Sequence, residues 1–175
     1  IGGLYLPTKT INKVHPLSRK LTITVTIYSY YSYARGMMIG ITGGTTNAHI
    51  ARAAFEATAY QVKDILDVLR RTTTANISSM RVDGGGSNSR FMMQFQADLL
   101  GIPVEVPKIT ETTGLGAAYL AALGMGEIKS LEEIHSYWKC HHTYEPQMSE
   151  DERETLLWKW HRAVERAKNW EIAKI

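Results

Sequence analysis

The sequence predicts an α/β fold, on three observations. From residue 37 onward, short β-branched or apolar runs alternate with segments of helical period. The connectors between them are brief and punctuated by glycine and proline. The 175 residues, 44% apolar and 21% charged, have the balance of an ordinary globular chain of single-domain size. That balance excludes disordered and fibrous classes. No apolar run approaches the roughly 20 residues a membrane-spanning helix needs, so no membrane span is expected. The one cysteine, Cys140, cannot form an internal disulfide, and a cytoplasmic protein is expected.

The elements follow in order. Residues 8–20 are polar, follow Pro7 and contain Pro16, and read as loop. Leu21 to Ile27 alternates strictly between apolar and polar, a strand with no evident partner. Tyr28, Tyr30, Tyr31 and Tyr33 read as strand-end packing. Met37 to Ile41 is a short apolar run of buried-strand type, and 42–46 a loop with Thr46 or Asn47 as helix cap. A helix over 48–69 keeps Ile50, Ala53, Ala54, Ala57, Ile65, Leu66 and Leu69 at helical spacing. Met80 to Val82 is a strand, 83–89 a tight loop, and 91–100 a helix closed by Gly101. Val104 to Val106 is a strand between two prolines. A helix over 115–123 ends at Gly124 and Gly126, and Leu131, Ile134 and Tyr137 mark a short amphipathic helix. Ser149 with Glu152 forms a capping box for the last helix. Its stripe is Leu156, Leu157, Trp160, Ala163, Val164, Ala167 and Trp170, with Trp160 and Trp170 expected to dock it. A twisted sheet with helices on both faces is the expected arrangement.

The net charge of +3 is unevenly placed, since six bases precede the first acid, Glu56. Lys9, Lys13, Arg19, Lys20, Arg35 and Arg52 are too sparse for a phosphate-tracking patch. They read as solvated charges, and no nucleic-acid partner is expected.

The strongest local signal is Asp83-Gly84-Gly85-Gly86-Ser87-Asn88-Ser89, between a strand and a helix. Three consecutive glycines cost backbone entropy in an ordered segment. Either the chain needs positive φ there, or a ligand must touch the main chain. A strand-to-helix turn also aims N–H groups at the carboxyl edge of a sheet, where phosphates bind. Neither a P-loop nor the Gly-x-Gly-x-x-Gly fingerprint is present, and a bare tight turn stays open as the alternative. At Thr110 to Ala118, Gly114, Gly116 and Ala117 are expected to let a helix pack closely on the sheet. His135, Cys140, His141 and His142 lie near one another without metal-ligand spacing, so no metal site is expected. Asp64, Asp67 and Asp98 read as solvated or capping helix carboxylates, and Arg52 and Glu56 as an i,i+4 pair.

Several stretches resemble a known family. Gly36-Met37-Met38-Ile39-Gly40-Ile41, with His49-Ile50 and Ala53-Ala54-Phe55-Glu56, is similar to a signature of the FGGY carbohydrate kinases. Arg81 to Gly85, Met93 to Gly101, Glu111 to Ala121 and Ala163 to Glu171 resemble one polyol-phosphorylating branch of it. The resemblance implies an actin-like (ribonuclease H-like) C-terminal domain, a twisted mixed sheet with flanking helices, over residues 33–171. Residues 1–32 are then a divergent segment and 172–175 a tail. Gly2 to Pro7 resembles the family's Gly-Leu-Tyr-x-Pro turn, and residues 8–30, which separate it from the Tyr33-Ala34-Arg35-Gly36 region it normally runs into, are expected to be an insertion or a gene-model artefact.

By that resemblance the domain supplies one wall of an ATP site. Gly84 and Gly85 carry the nucleotide contact, with Gly86, Asn88 and Ser89 beside it. Ser89 stands where the family often has Asn, and Gly43 where that branch often has a base. The catalytic aspartate, the polyol-binding residues and the first phosphate-binding turn belong to the family's N-terminal domain. No catalytic residue is therefore expected here. ATP or ADP, Mg2+ and an N-terminal kinase domain in cis or trans are the implied cofactors and partners, with a homo-oligomer for the complete enzyme. A non-catalytic interaction module and a kinase of another sugar remain as alternatives.

Overall fold

The computed structural model describes Thr22–Thr24 and residues 33–74 and 76–171. Its strands and helices are β1 (Thr22–Thr24), β2 (Met37–Ile39), α1 (Asn47–Thr72), β3 (Met80–Arg81), α2 (Arg90–Leu100), β4 (Val104–Pro107), α3 (Thr112–Gly124), α4 (Leu131–Tyr137), β5 (Cys140–Tyr144) and α5 (Glu150–Ala167). A 3₁₀ turn, Gly85–Asn88, precedes α2. The α/β class and the mixed sheet with flanking helices agree with the sequence. The described strands, however, lie in two sheets rather than one. The chain divides into two compact units, 1–74 with 148–175, and 75–147.

In the first unit β1 pairs antiparallel with β2, Ile23 opposite Met38. The strand at 22–24 therefore has a partner, contrary to expectation; the rest of 21–27 lies outside the described residues. Strand β2 is not of buried type. Met38 is exposed, as is Ile41 beyond it, because one face of this two-stranded sheet is uncovered among the described residues. Thr46 is the cap of α1. Its N–H donates to His49 Nδ1 at 3.1 Å, and its hydroxyl lies 2.7 Å from the same nitrogen.

The core of this unit is the seam between α1 and α5. Trp160, fully buried, stacks on Tyr60 with centroids 5.0 Å apart, and its Nε1–H donates to Asp64 at 2.8 Å. Asp64 also meets His161 Nε2 at 2.9 Å, so it is a structural partner rather than the solvated or capping carboxylate expected. The buried stripe of α1 is Ala53, Ala57, Tyr60 and Leu66, and Arg52, Glu56 and Lys63 share it. Arg52 Nε donates to Glu56 at 2.7 Å, so the expected pair forms and forms buried, each charge neutralising the other away from water. Ala54, Ile65 and Leu69, expected in the core, lie on the opposite, exposed side. Trp170 does not dock α5. The helix ends at Ala167, Asn169 adopts the left-handed φ of 56°, and the chain turns so that Trp170 is 66% exposed.

In the second unit β3 runs parallel to β4, Arg81 opposite Glu105, and β4 antiparallel to β5, Val104 opposite Tyr144. The register shifts between Val106 and Pro107, which pair with His142 and Cys140, so that His141 is an extra residue on β5. Helix α2 covers this sheet, with Met93, Phe95, Ala97, Leu99 and Leu100 buried alongside Val104 and Val106. Gly101 ends it in left-handed conformation, φ 68°, its N–H donating to the Ala97 carbonyl.

Candidate functional site

The glycine loop leaves the carboxyl end of β3, where Val82 N–H still donates to the Glu105 carbonyl at 3.1 Å. The Asp83 carboxylate accepts from the Thr112 hydroxyl at the start of α3. Gly84 N–H donates to the Thr110 carbonyl at 2.8 Å. The loop is thereby tied at Asp83 and at Gly84 to the segment that enters α3. Gly84 has φ 77°, and the chain then winds through the 3₁₀ turn. Ser87 is buried and closes that turn, its N–H and its hydroxyl both donating to the Gly84 carbonyl, at 3.1 and 2.7 Å. Ser89 caps α2, its oxygen accepting from Met92 N–H at 3.3 Å.

This geometry separates the two reasons for the glycines. Positive φ explains Gly84 alone. At Gly85 no atom lies within 4 Å of where a Cβ would sit, and at Gly86 only the Met92 sulfur does, at 3.9 Å. The fold therefore has room for side chains at both positions. Gly85 and Gly86 lie exposed at the amino end of α2, where helix N–H groups and the helix dipole favour an anion. Of the five residues the resemblance implies, Gly84, Gly85, Gly86, Asn88 and Ser89 all belong to this one turn. Ser89 has its oxygen committed to the cap, while Asn88 is exposed.

The second glycine cluster behaves differently from the expectation. A Cβ added at Gly114 or Gly116 would meet no atom within 4 Å, and no residue of α3 is buried. Close packing of that helix on the sheet is absent among the described residues. Cys140, His141 and His142 lie on β5, where the register skips His141 and the Cys140 Sγ lies 3.4 Å from the Thr143 hydroxyl oxygen. Cys140 is exposed, and His142 packs edge-on against Tyr144, two residues along the same face, at 4.4 Å. Among the described residues no group of three or more His, Cys, Asp or Glu could hold a metal ion. No described helix is long and apolar enough to cross a membrane.

A feature the sequence reading missed lies beside the loop. A cavity of about 390 Å³ opens between the end of β4, α3 and α4, walled by Tyr119, Tyr137 and Trp138. Tyr119 stacks on Tyr137 at 5.5 Å, and the Arg81 guanidinium sits 3.9 Å over the Trp138 ring. The Tyr137 hydroxyl donates to Glu133 at 2.7 Å, which pushes the phenol's pKa up. The Glu133 carboxyl is held below the usual carboxylate range, by the Lys129 N–H first and this hydroxyl second. These residues come from four segments with no shared motif, so no local signal announces the cavity.

Residues 26–125 match the profile of the FGGY family of carbohydrate kinases, C-terminal domain. A glycerol kinase of Deinococcus radiodurans is 54% identical over 140 residues, 80% of this chain and 28% of that protein. The chain thus spans less than a third of the length of the curated relatives it matches. Among solved structures, Plasmodium falciparum glycerol kinase with ADP superposes with a TM-score of 0.77 at 28% identity, covering 91% of this chain and 33% of that one. A xylulose kinase of Rhodospirillum rubrum, at 21% identity and a TM-score of 0.71 over 91% of this chain and 33% of that one, shares the fold.

Proposed function

The chain belongs to the FGGY family of carbohydrate kinases, and from that premise we propose that it is the nucleotide-side, C-terminal part of a glycerol kinase. The proposed reaction is ATP-dependent phosphorylation of glycerol to glycerol 3-phosphate. The observation that carries the reading is the open main chain at Gly85, between a strand end and the amino end of α2. A fold that has no need of glycine there leaves close approach of a ligand as the physical use of it. The loop fits a nucleotide: the N–H groups at the amino end of α2 suit phosphate oxygens, the amide of Asn88 adds a polar contact, and Ser89, whose oxygen accepts from Met92 N–H, has its O–H to donate. The relatives that match at 54% identity over 140 residues bear the name glycerol kinase, which favours glycerol over another sugar.

Phosphoryl transfer rests on positioning and on stabilising charge around the transferred group. In this reading the loop and α2 hold and orient the nucleotide. The polyol site and the general base lie in the N-terminal domain, and Mg2+ has its protein ligands there as well. A cytoplasmic location and a homo-oligomeric complete enzyme belong to the same proposal. The test is substrate choice in a reconstituted sample: this chain co-expressed with the unmatched part of the Deinococcus radiodurans enzyme. Phosphorylation of glycerol well above that of xylulose or gluconate is expected; an equal or reversed preference contradicts the assignment.

A further inference from the structure

The first unit holds a cavity that the nucleotide reading leaves unused. About 340 Å³ in volume, it opens between the end of β2 and α5, with Ile39 on one side and Trp158, Lys159, Arg162 and Arg166 on the other. The three bases stand at i, i+3 and i+7 along α5, so they share one helix face. Like charges at such spacing repel and weaken a helix. The helix dipole accounts for Arg166, in the last turn, and not for the other two. No carboxylate offsets the repulsion. Elsewhere in this unit Arg35, Arg52, Lys63, Arg153 and Lys168 each pair with an acid. Lys159, Arg162 and Arg166 have no ion pair among the described residues. The described lining contains no acid, and residues 1–55, which supply β1 and β2, contain none to add. A cleft lined by charge of one sign concentrates counter-ions.

The bases are also held in place. Arg166 donates to the Arg162 carbonyl at 2.9 Å, and the Arg162 guanidinium lies 5.0 Å from the centre of the Trp158 ring. Trp158 is 59% exposed, so its ring is open to a ligand as well. We propose that this cavity binds a small phosphate ester, with the phosphate among Lys159, Arg162 and Arg166 and the carbon skeleton against Trp158 and Ile39. Arginine forks match phosphate oxygens two at a time. The tryptophan ring and Ile39 supply the apolar surface that a bare anion would not use. The volume lies in the range of small-molecule sites, and three bases are too few to track a nucleic-acid backbone. The cavity shares no residue with the glycine loop, which belongs to the other unit, so the proposal stands apart from the kinase reading.

The test is calorimetric titration of the full chain with glycerol 3-phosphate, inorganic phosphate and glycerol. The parent is compared with Arg162→Gln/Arg166→Gln, Trp158→Ala, Gly85→Val and Arg70→Gln. Arg70 is an exposed base outside the cavity, so its loss changes net charge without touching the site. Arg162 and Arg166 are exposed, and the double variant should melt as the parent does; if it melts lower, Lys159→Gln takes its place. Glycerol 3-phosphate is expected to bind, inorganic phosphate to bind more weakly, and glycerol not to bind. Affinity for glycerol 3-phosphate should fall at least tenfold in the double variant, fall severalfold in Trp158→Ala, and stay unchanged in Arg70→Gln and Gly85→Val. Absence of binding in the parent overturns the site. An equal loss in Arg70→Gln also overturns it, since a diffuse field is then the cause. Inorganic phosphate bound as tightly as the ester, with Trp158→Ala without effect, overturns the assignment to an ester. Loss of binding in Gly85→Val would put the phosphate in the glycine loop and overturn this location.

Discussion

At Gly84 the backbone holds φ 77°, a conformation that costs an L-residue about 1–2 kcal/mol. At Gly85 no such strain exists and the space is open. Gly84→Ala should therefore lower stability by about that amount, read as a shift in the denaturation midpoint. Gly85→Val should leave the midpoint nearly unchanged and remove nucleotide binding in calorimetric titration with ADP. Loss of stability at position 85, with binding retained, would contradict the role given to the loop. The two tryptophans of the C-terminal segment are separated in the same way. Trp160 is fully buried, stacked and hydrogen-bonded, so Trp160→Ala should cost about 3–5 kcal/mol. Trp170→Ala, at an exposed turn, should fall within about 0.5 kcal/mol of the parent. Periodicity made Trp160 legible and misled at Trp170, because a stripe continues on paper after the helix has stopped. Nothing ahead of Asn169 in the sequence announces that stop.

Elements were most readable where a cap or a breaker bounds them. Helix α2 runs from the Ser89 cap to Gly101, and α5 from Ser149, whose oxygen accepts from Glu152 N–H, both as the sequence indicates. Strand β5 was unreadable: Cys-His-His-Thr-Tyr has no apolar alternation, because most of it is exposed. Helix α1 was legible in extent but not in facing. Its buried stripe includes the Arg52–Glu56 pair, and a charged pair in a core defeats a rule built on apolar spacing. Helix α4 carries a pH prediction. Its Ser130 cap accepts from Glu133 N–H. Glu133 in turn ties the Lys129 N–H to the Tyr137 hydroxyl, and its carboxyl is held low by those two donors in that order. A carboxyl depressed in the folded state contributes stability that is present above its unfolded value and lost as pH falls through the folded one. Amide-exchange protection of α4 should therefore be full near neutrality and decline below about pH 4. In Glu133→Gln the protection should be lower at neutral pH and its acid loss smaller, with the remainder coming from Glu132, whose carboxyl its own backbone N–H and the Ser130 hydroxyl also hold low; an unchanged acid transition in this variant would show that other carboxyls govern it.

On the scale of the whole molecule, each of the two units is held by a core of its own, and each leaves an apolar helix surface bare: Ile65, Val68 and Leu69 on α1, Leu120 on α3. The sequence made the α/β class and the glycine loop legible because strand alternation, caps and Gly-Gly-Gly are local signals. The division into two sheets and the bare surfaces were not legible, since periodicity marks which residues are apolar and not whether a partner exists to cover them. The central claim is that this chain supplies the nucleotide wall of a glycerol kinase and nothing of its catalytic base. Coupled ADP release with glycerol tests it most directly, measured on the 175-residue chain alone, on the chain co-expressed with the complementary part of the Deinococcus radiodurans enzyme, and on the same pair carrying Gly85→Val. The account predicts no turnover alone, turnover in the pair, and its loss in the Gly85→Val pair. Turnover by the chain without a partner, or full activity in the Gly85→Val pair, would contradict it.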